Sequence, residues 1–158
     1  MMVAMASLNH VSVVAPDLEV SSRFYVDELG LERLPTPNFA FPVVWLAAGD
    51  RQVHLFEPPG EPPERAHFAL EIDEFMPVYR RMKELGVLER GTFGSAIFEI
   101  ASGAVQMYIR DPAGNLVELD YRGAPPVPRD EVPEYTRLVD LRPQDGDAAR
   151  ATLWHSSH

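Results

Sequence analysis

Apolar and polar positions along the chain run through the same order twice. Residues 8–15 (LNHVSVVA) and 66–73 (AHFALEID) each read as a strand with a histidine near its start, His10 and His67. A helix is predicted after each. The first covers residues 17–29 and opens on Asp17, a residue suited to N-capping. The second follows Asp73 and sets Phe75, Val78, Tyr79, Met82 and Leu85 at helical spacing. Pro77 lies near its first turn, where a missing N–H costs least. The helices end alike, ELGLER against ELGVLER, with Gly30 and Gly86 placed as left-handed C-caps. Histidine and capping glycine stand 20 residues apart in the first copy and 19 in the second.

Strand-like segments follow each helix: 31–34, 41–48 and 52–57 in the first copy, and 87–92, 105–110 and 116–121 in the second, with a weaker stretch at 96–101. Gly49-Asp50 and the DPAGN segment 111–115 supply the turns before each last strand. Both copies therefore read βαβββ, and the proline-rich segment 58–65 links them. One such unit leaves a sheet face bare; two in one chain supply each other with a cover or jointly enclose a cleft. The expected class is α+β: two paired modules, about 8–57 and 66–121, in a single domain over residues 1–122. Residues 123–158 form a proline-rich extension in which Tyr135, Leu138, Val139 and Leu141 dock as a short extended arm. The end, 148–158, is expected to fray, with His155 and His158 as plain tail residues.

The length suits one domain with a proper core. Apolar residues make up 46% and charged residues 24%, as in ordinary globular chains. A formal charge of −10 argues against a nucleic-acid or anionic-membrane partner. No apolar run approaches a membrane span, and residues 1–8 do not read as a signal peptide. The absence of cysteine excludes disulfides, thiolate zinc sites and cysteine nucleophiles, and fits a cytoplasmic protein.

Aligning the copies on their helices pairs His10 with His67, and His54 with Glu118. The latter two share their flanks, Val53-His54-Leu55 and Val117-Glu118-Leu119. All four stand in strands that otherwise read as apolar. A carboxylate there is costly unless something positive compensates it, and a divalent metal ion explains three imidazoles and one carboxylate economically. The plainer reading is that each histidine is a hydrogen-bonded core or surface group; for His54 a solvent-facing position fits nearly as well.

Four segments in order resemble the vicinal oxygen chelate superfamily of glyoxalases, bleomycin and fosfomycin resistance proteins, extradiol dioxygenases and methylmalonyl-CoA epimerase. They are Leu8-Asn9-His10-Val11, the helix end Phe24-Tyr25 to Glu28-Leu29-Gly30, Ala66-His67-Phe68-Ala69-Leu70, and Asp111-Pro112-Ala113-Gly114-Asn115-Leu116-Val117-Glu118. The resemblance implies metal ligands at His10, His67 and Glu118, with His54 as a fourth. It implies a Zn, Ni, Mn or Fe ion, a small-molecule substrate chelating it through neighbouring oxygens, and frequently a homodimer. Four protein ligands favour redox-neutral lyase or isomerase chemistry, with Glu118 as base. Three leave room for dioxygen and a ring-cleaving reaction. Tyr108 stands where the extradiol signature has its tyrosine, but residues 95–104 lack the histidine expected upstream. Residues 91–103 also lack Lys and Arg, which argues against a phosphonate substrate. A drug-binding protein without turnover is the third alternative. Phe39, Phe41, Trp45, Phe68, Phe93 and Phe98 are candidates for lining a cleft.

Overall fold

The computed structural model describes residues 6–156, so most of the 1–8 segment and His158 lie outside the described residues. The chain divides into two compact units, residues 1–62 with 112–115, and residues 63–111 with 116–158.

In the first unit, strand β1 (His10–Val14) leads into helix α1 (Leu18–Arg23), which continues as a π-helical turn over Phe24–Glu28. The Asp17 side chain accepts the Val20 N–H at 3.0 Å and closes the exposed N-terminus of α1. Gly30, at φ 74°, ends the segment in the left-handed conformation that its sequence position predicts. Strands β2 (Glu32–Leu34), β3 (Val43–Ala48) and β4 (Arg51–Phe56) complete a sheet of order β1-β4-β3-β2, with β1 parallel to β4 and the other pairs antiparallel. Helix α1 lies against β3 and β4. Leu46, Val53 and Leu55 are buried together with Phe24 and Tyr25. Strand alternation then sends Gln52, His54 and Phe56 to the opposite face.

The second unit repeats this order. Strand β5 (His67–Glu71), helix α2 (Phe75–Glu84) and strands β6 (Ile97–Glu99), β7 (Val105–Arg110) and β8 (Leu116–Tyr121) form a sheet of order β5-β8-β7-β6, matching the first strand for strand. Phe75, Tyr79 and Met82 make the buried stripe of α2, and Phe75 packs on Tyr121 at a ring separation of 5.8 Å. Met107, Ile109, Val117 and Leu119 are fully buried.

Two expectations need correction. Residues 87–92 are not a strand. Leu88 makes one isolated bridge to Ile109, and the chain then turns away because the Glu89 carboxylate accepts the N–H groups of Gly91 and Thr92 and pairs with Arg110 at 2.8 Å. The expected strand at 41–48 starts only at Val43, since Pro42 has no N–H to give a ladder.

The extension contributes to the second sheet. Strand β9 (Tyr135–Arg137) pairs parallel with β6 as a fifth strand, but of the four residues expected in an extended docking arm only Tyr135 lies in it; Leu138, Val139 and Leu141 stand in a single helical turn, α3 (Leu138–Leu141), with Val139 and Leu141 exposed. Glu134 accepts from Tyr79 at 2.6 Å and Arg90 at 2.8 Å, and Val132 is buried. Beyond a last turn, α4 (Asp147–Arg150), two residues of the segment expected to fray make contacts: Glu71 accepts the Ser156 N–H at 2.7 Å and faces the His155 ring at 3.4 Å. Trp154, between these contacts and α4, is 98% exposed. No helix among the described residues is long and apolar enough to cross a membrane.

Candidate functional site

Each unit gathers two of the four candidate ligands on the sheet face that its helix leaves free. In the first, the β1–β4 register sets His10 opposite Gln52 and Ser12 opposite His54. The two imidazoles stack at a centroid separation of 4.1 Å and 18° between planes. Trp45, the cross-strand partner of His54, stacks on its other side at 4.5 Å and 7°. His54 is thus held between two rings and is 8% exposed, so the solvent-facing alternative does not hold. Its burial, and then the neighbouring His10, push its pKa below the ordinary imidazole value and keep the ring neutral. His10 Nδ1 lies 2.8 Å from Asn9 Oδ1, and His54 Nε2 lies 2.7 Å from Gln52 Oε1. Among the described residues, each ring therefore has one nitrogen engaged and one open. Phe39 stands 6.1 Å from Trp45 and 6.3 Å from Phe41, and both phenylalanines are nearly half exposed.

In the second unit, alternation puts His67 and Glu71 of β5, Gln106 and Tyr108 of β7, and Glu118 and Asp120 of β8 on one face. His67 Nδ1 donates to the Arg65 carbonyl at 2.8 Å. That bond leaves a neutral ring with a lone pair at Nε2, yet Nε2 faces Glu118 Oε2 at 2.9 Å. Two acceptors in that position need something between them: a second ring proton, a proton on Glu118, or a metal ion. A histidine whose far nitrogen is fixed by a carbonyl is also the usual arrangement of a metal ligand. Glu118 is 4% exposed, and its other oxygen, Oε1, accepts from Gln106 Nε2 at 2.6 Å.

Tyr108 also bonds to Glu118. Burial, with the Glu118 charge beside it, raises the phenol pKa well above its usual value, so the group remains an O–H donor. Its ring packs against Phe93 at 4.8 Å and edge-on to His67 at 5.6 Å. Burial and the adjacent Glu118 push the Asp120 carboxyl up to about 8, with Glu71 adding to the effect. Its Oδ1 is buried without a hydrogen-bond partner among the described residues.

The donor types fit a divalent ion: two oriented imidazoles in the first unit, and in the second an imidazole whose Nε2 faces a buried carboxylate. Among the described residues, no group of three His, Cys, Asp or Glu side chains is drawn together closely enough to form a metal cage by itself. Gln106 and Asp120 were not singled out from the sequence. Their signal was period-two spacing: Gln106 with Tyr108 and Asp120 with Glu118 share the site face.

Residues 7–119 match the model of the Glyoxalase/Bleomycin resistance protein/Dioxygenase superfamily. The mitochondrial methylmalonyl-CoA epimerase of Mus musculus is 43% identical over 56 residues, 34% of this chain and 32% of the mouse protein, so the match spans about a third of that relative. The ethylmalonyl-CoA/methylmalonyl-CoA epimerase of Cereibacter sphaeroides is 26% identical over 128 residues, 72% of this chain and 96% of the relative. Solved structures share the fold. A lactoylglutathione lyase from Agrobacterium tumefaciens is 23% identical with a TM-score of 0.57, over 74% of this chain and 94% of its own. A fosfomycin resistance protein from Listeria monocytogenes is 19% identical with a TM-score of 0.61, over 73% and 91%. The duplicated βαβββ unit, its sheet order and the family match over most of the length agree, and the chain belongs to the Glyoxalase/Bleomycin resistance protein/Dioxygenase superfamily.

Proposed function

We propose that this protein is a divalent-metal-dependent enzyme of redox-neutral lyase or isomerase type, moving a proton beside a carbonyl of a small-molecule substrate. The observation that carries the reading is the His67–Glu118 pair, two acceptors aligned at 2.9 Å with the far nitrogen of the histidine fixed by a carbonyl. On this reading His67 and Glu118 would hold the ion, with His10 and His54 as the further ligands that the family resemblance implies. When bound, such an ion supplies Lewis acidity, stabilising negative charge on a substrate oxygen. The chain's own groups do the rest. Glu118 would accept the proton through Oε2 when that oxygen is off the ion, and Tyr108 keeps its proton and donates. His54 stays neutral, as a ligand must, and its ring is fixed by the His10 and Trp45 stacks. The epimerase relatives support proton transfer beside a carbonyl as the reaction class. On this reading the protein works in the cytoplasm as a homodimer; sedimentation of the purified chain checks the dimer.

Elemental analysis of protein purified without added metal tests the proposal. One zinc, nickel or manganese ion per chain is expected, lost in His67→Ala and in Glu118→Ala. A wild type without stoichiometric metal, or variants that keep it with unchanged affinity, would refute the site. Iron would move the assignment to the ring-cleaving dioxygenases. Incubation with methylmalonyl-CoA in deuterated water, followed by NMR of its α-carbon proton, then asks whether the relatives' substrate is accepted.

A further inference from the structure

The Glu118 carboxylate is gripped at both ends, and one grip comes from a residue with no assigned role. Gln106 stands on β7 opposite Asp120, one alternation step from Tyr108, on the same face as Glu118. Its Nε2 reaches Glu118 Oε1 at 2.6 Å, a charge-assisted bond at the short end of the N–H···O range. The amide must donate here, because the flipped orientation would set two oxygens against each other at that distance. With Oε1 taken, Oε2 is the oxygen directed at His67 Nε2. A glutamate side chain has free torsions that burial alone does not fix. A bond to one named oxygen from a neighbouring strand selects the rotamer and distinguishes its two oxygens.

We infer that Gln106 is a positioning residue: it anchors Glu118 through Oε1 so that Oε2 alone is presented to His67 and to whatever binds there. This deepens the proposed function and rests on its assignment of Glu118, but the anchoring itself is testable without metal. Asp120 and Tyr108 also bond to Glu118, so the release expected on removing the Gln106 amide measures how much of the anchoring is its own.

The test uses the full chain with Gln106→Leu, which removes the amide and keeps the bulk, and Gln106→Glu, which sets a second carboxylate against Glu118. Crystal structures of the metal-stripped proteins come first. Wild type should keep Glu118 Oε2 within hydrogen-bond distance of His67 Nε2, and Gln106→Leu should release the carboxylate into other rotamers. Cobalt(II) titration follows, with affinity expected to fall roughly ten- to hundredfold in Gln106→Leu and the visible absorption of bound cobalt expected to change. Glu118→Ala should bind no metal, so the control is the melting temperature of metal-free protein: in a Glu118→Ala background Gln106→Leu should cost nothing further, whereas a merely structural role would lower the melting temperature equally in both backgrounds. Should Glu118 stay in place in metal-free Gln106→Leu, the inference is overturned. Should the carboxylate be released while wild type binds no cobalt, the positioning role stands and the metal assignment fails. A Gln106→Leu protein that does not fold is replaced by Gln106→Glu, for which the same displacement of Glu118 is required.

Discussion

At the scale of single residues, the carboxyl of Asp120 gives the sharpest prediction. Its folded value of about 8 lies far above the roughly 3.9 of an unfolded aspartate. The folded chain therefore holds a proton that the unfolded chain releases. The contribution is fully present below about pH 4 and is lost as pH rises towards 8. Asp120→Asn keeps a donor toward Glu118 and removes the ionisation. In metal-free protein its melting temperature should exceed that of wild type by a margin that grows from pH 5 to pH 8. Equal margins at both pH values would mean that Asp120 is ionised in the fold. The four ligand candidates were legible because duplication put polar residues at matching places in apolar strands. Gln106 and Asp120 were not, because neither has a polar mate in the first copy. Strand alternation alone placed them, and it needs the strand register that only the structure supplies.

At the scale of elements, the helices and the long strands followed from periodicity and capping, and Asp17, Gly30 and Gly86 sit as their positions predict. What failed was short and controlled by side chains, as where Glu89 folds 87–92 into a loop. Two glycines separate backbone strain from steric conflict. Gly86 has φ 71° and open space where a Cβ would stand, so Gly86→Ala should cost only the left-handed penalty, about 1–2 kcal/mol. At Gly123, φ 84°, a Cβ would meet the Gly103 carbonyl oxygen at 2.0 Å. Backbone cannot retreat as a side chain can, so Gly123→Ala should cost clearly more. Urea unfolding of both variants ranks them, and equal midpoints would contradict the geometry.

At the scale of the whole molecule, the extension belongs to the second unit's fold. Truncation after Tyr121 would remove β9, the Glu134 contacts and the buried valines 127 and 132, each worth about 1.5–3 kcal/mol of burial. Such a chain should melt far below wild type, whereas truncation after Arg142 should change little; the reverse order in a thermal melt would refute this. The missing strand would also open the β6 edge. The first sheet protects its own edge differently, with Glu32 and Arg33 exposed on β2. A chain cut after Tyr121 should accordingly self-associate as its concentration rises, which light scattering would register.

The stack of Trp45 on His54 also makes the protein its own optical instrument. The chain has two tryptophans, and they stand in opposite surroundings: Trp154 nearly fully in water, Trp45 face to face with an imidazole at 4.5 Å. Replacing Trp154 with Phe would leave a single emitter whose fluorescence depends on the charge and engagement of His54. Titrating that variant with a divalent ion, or with acid, would read the state of this one ring directly, before any substrate is known.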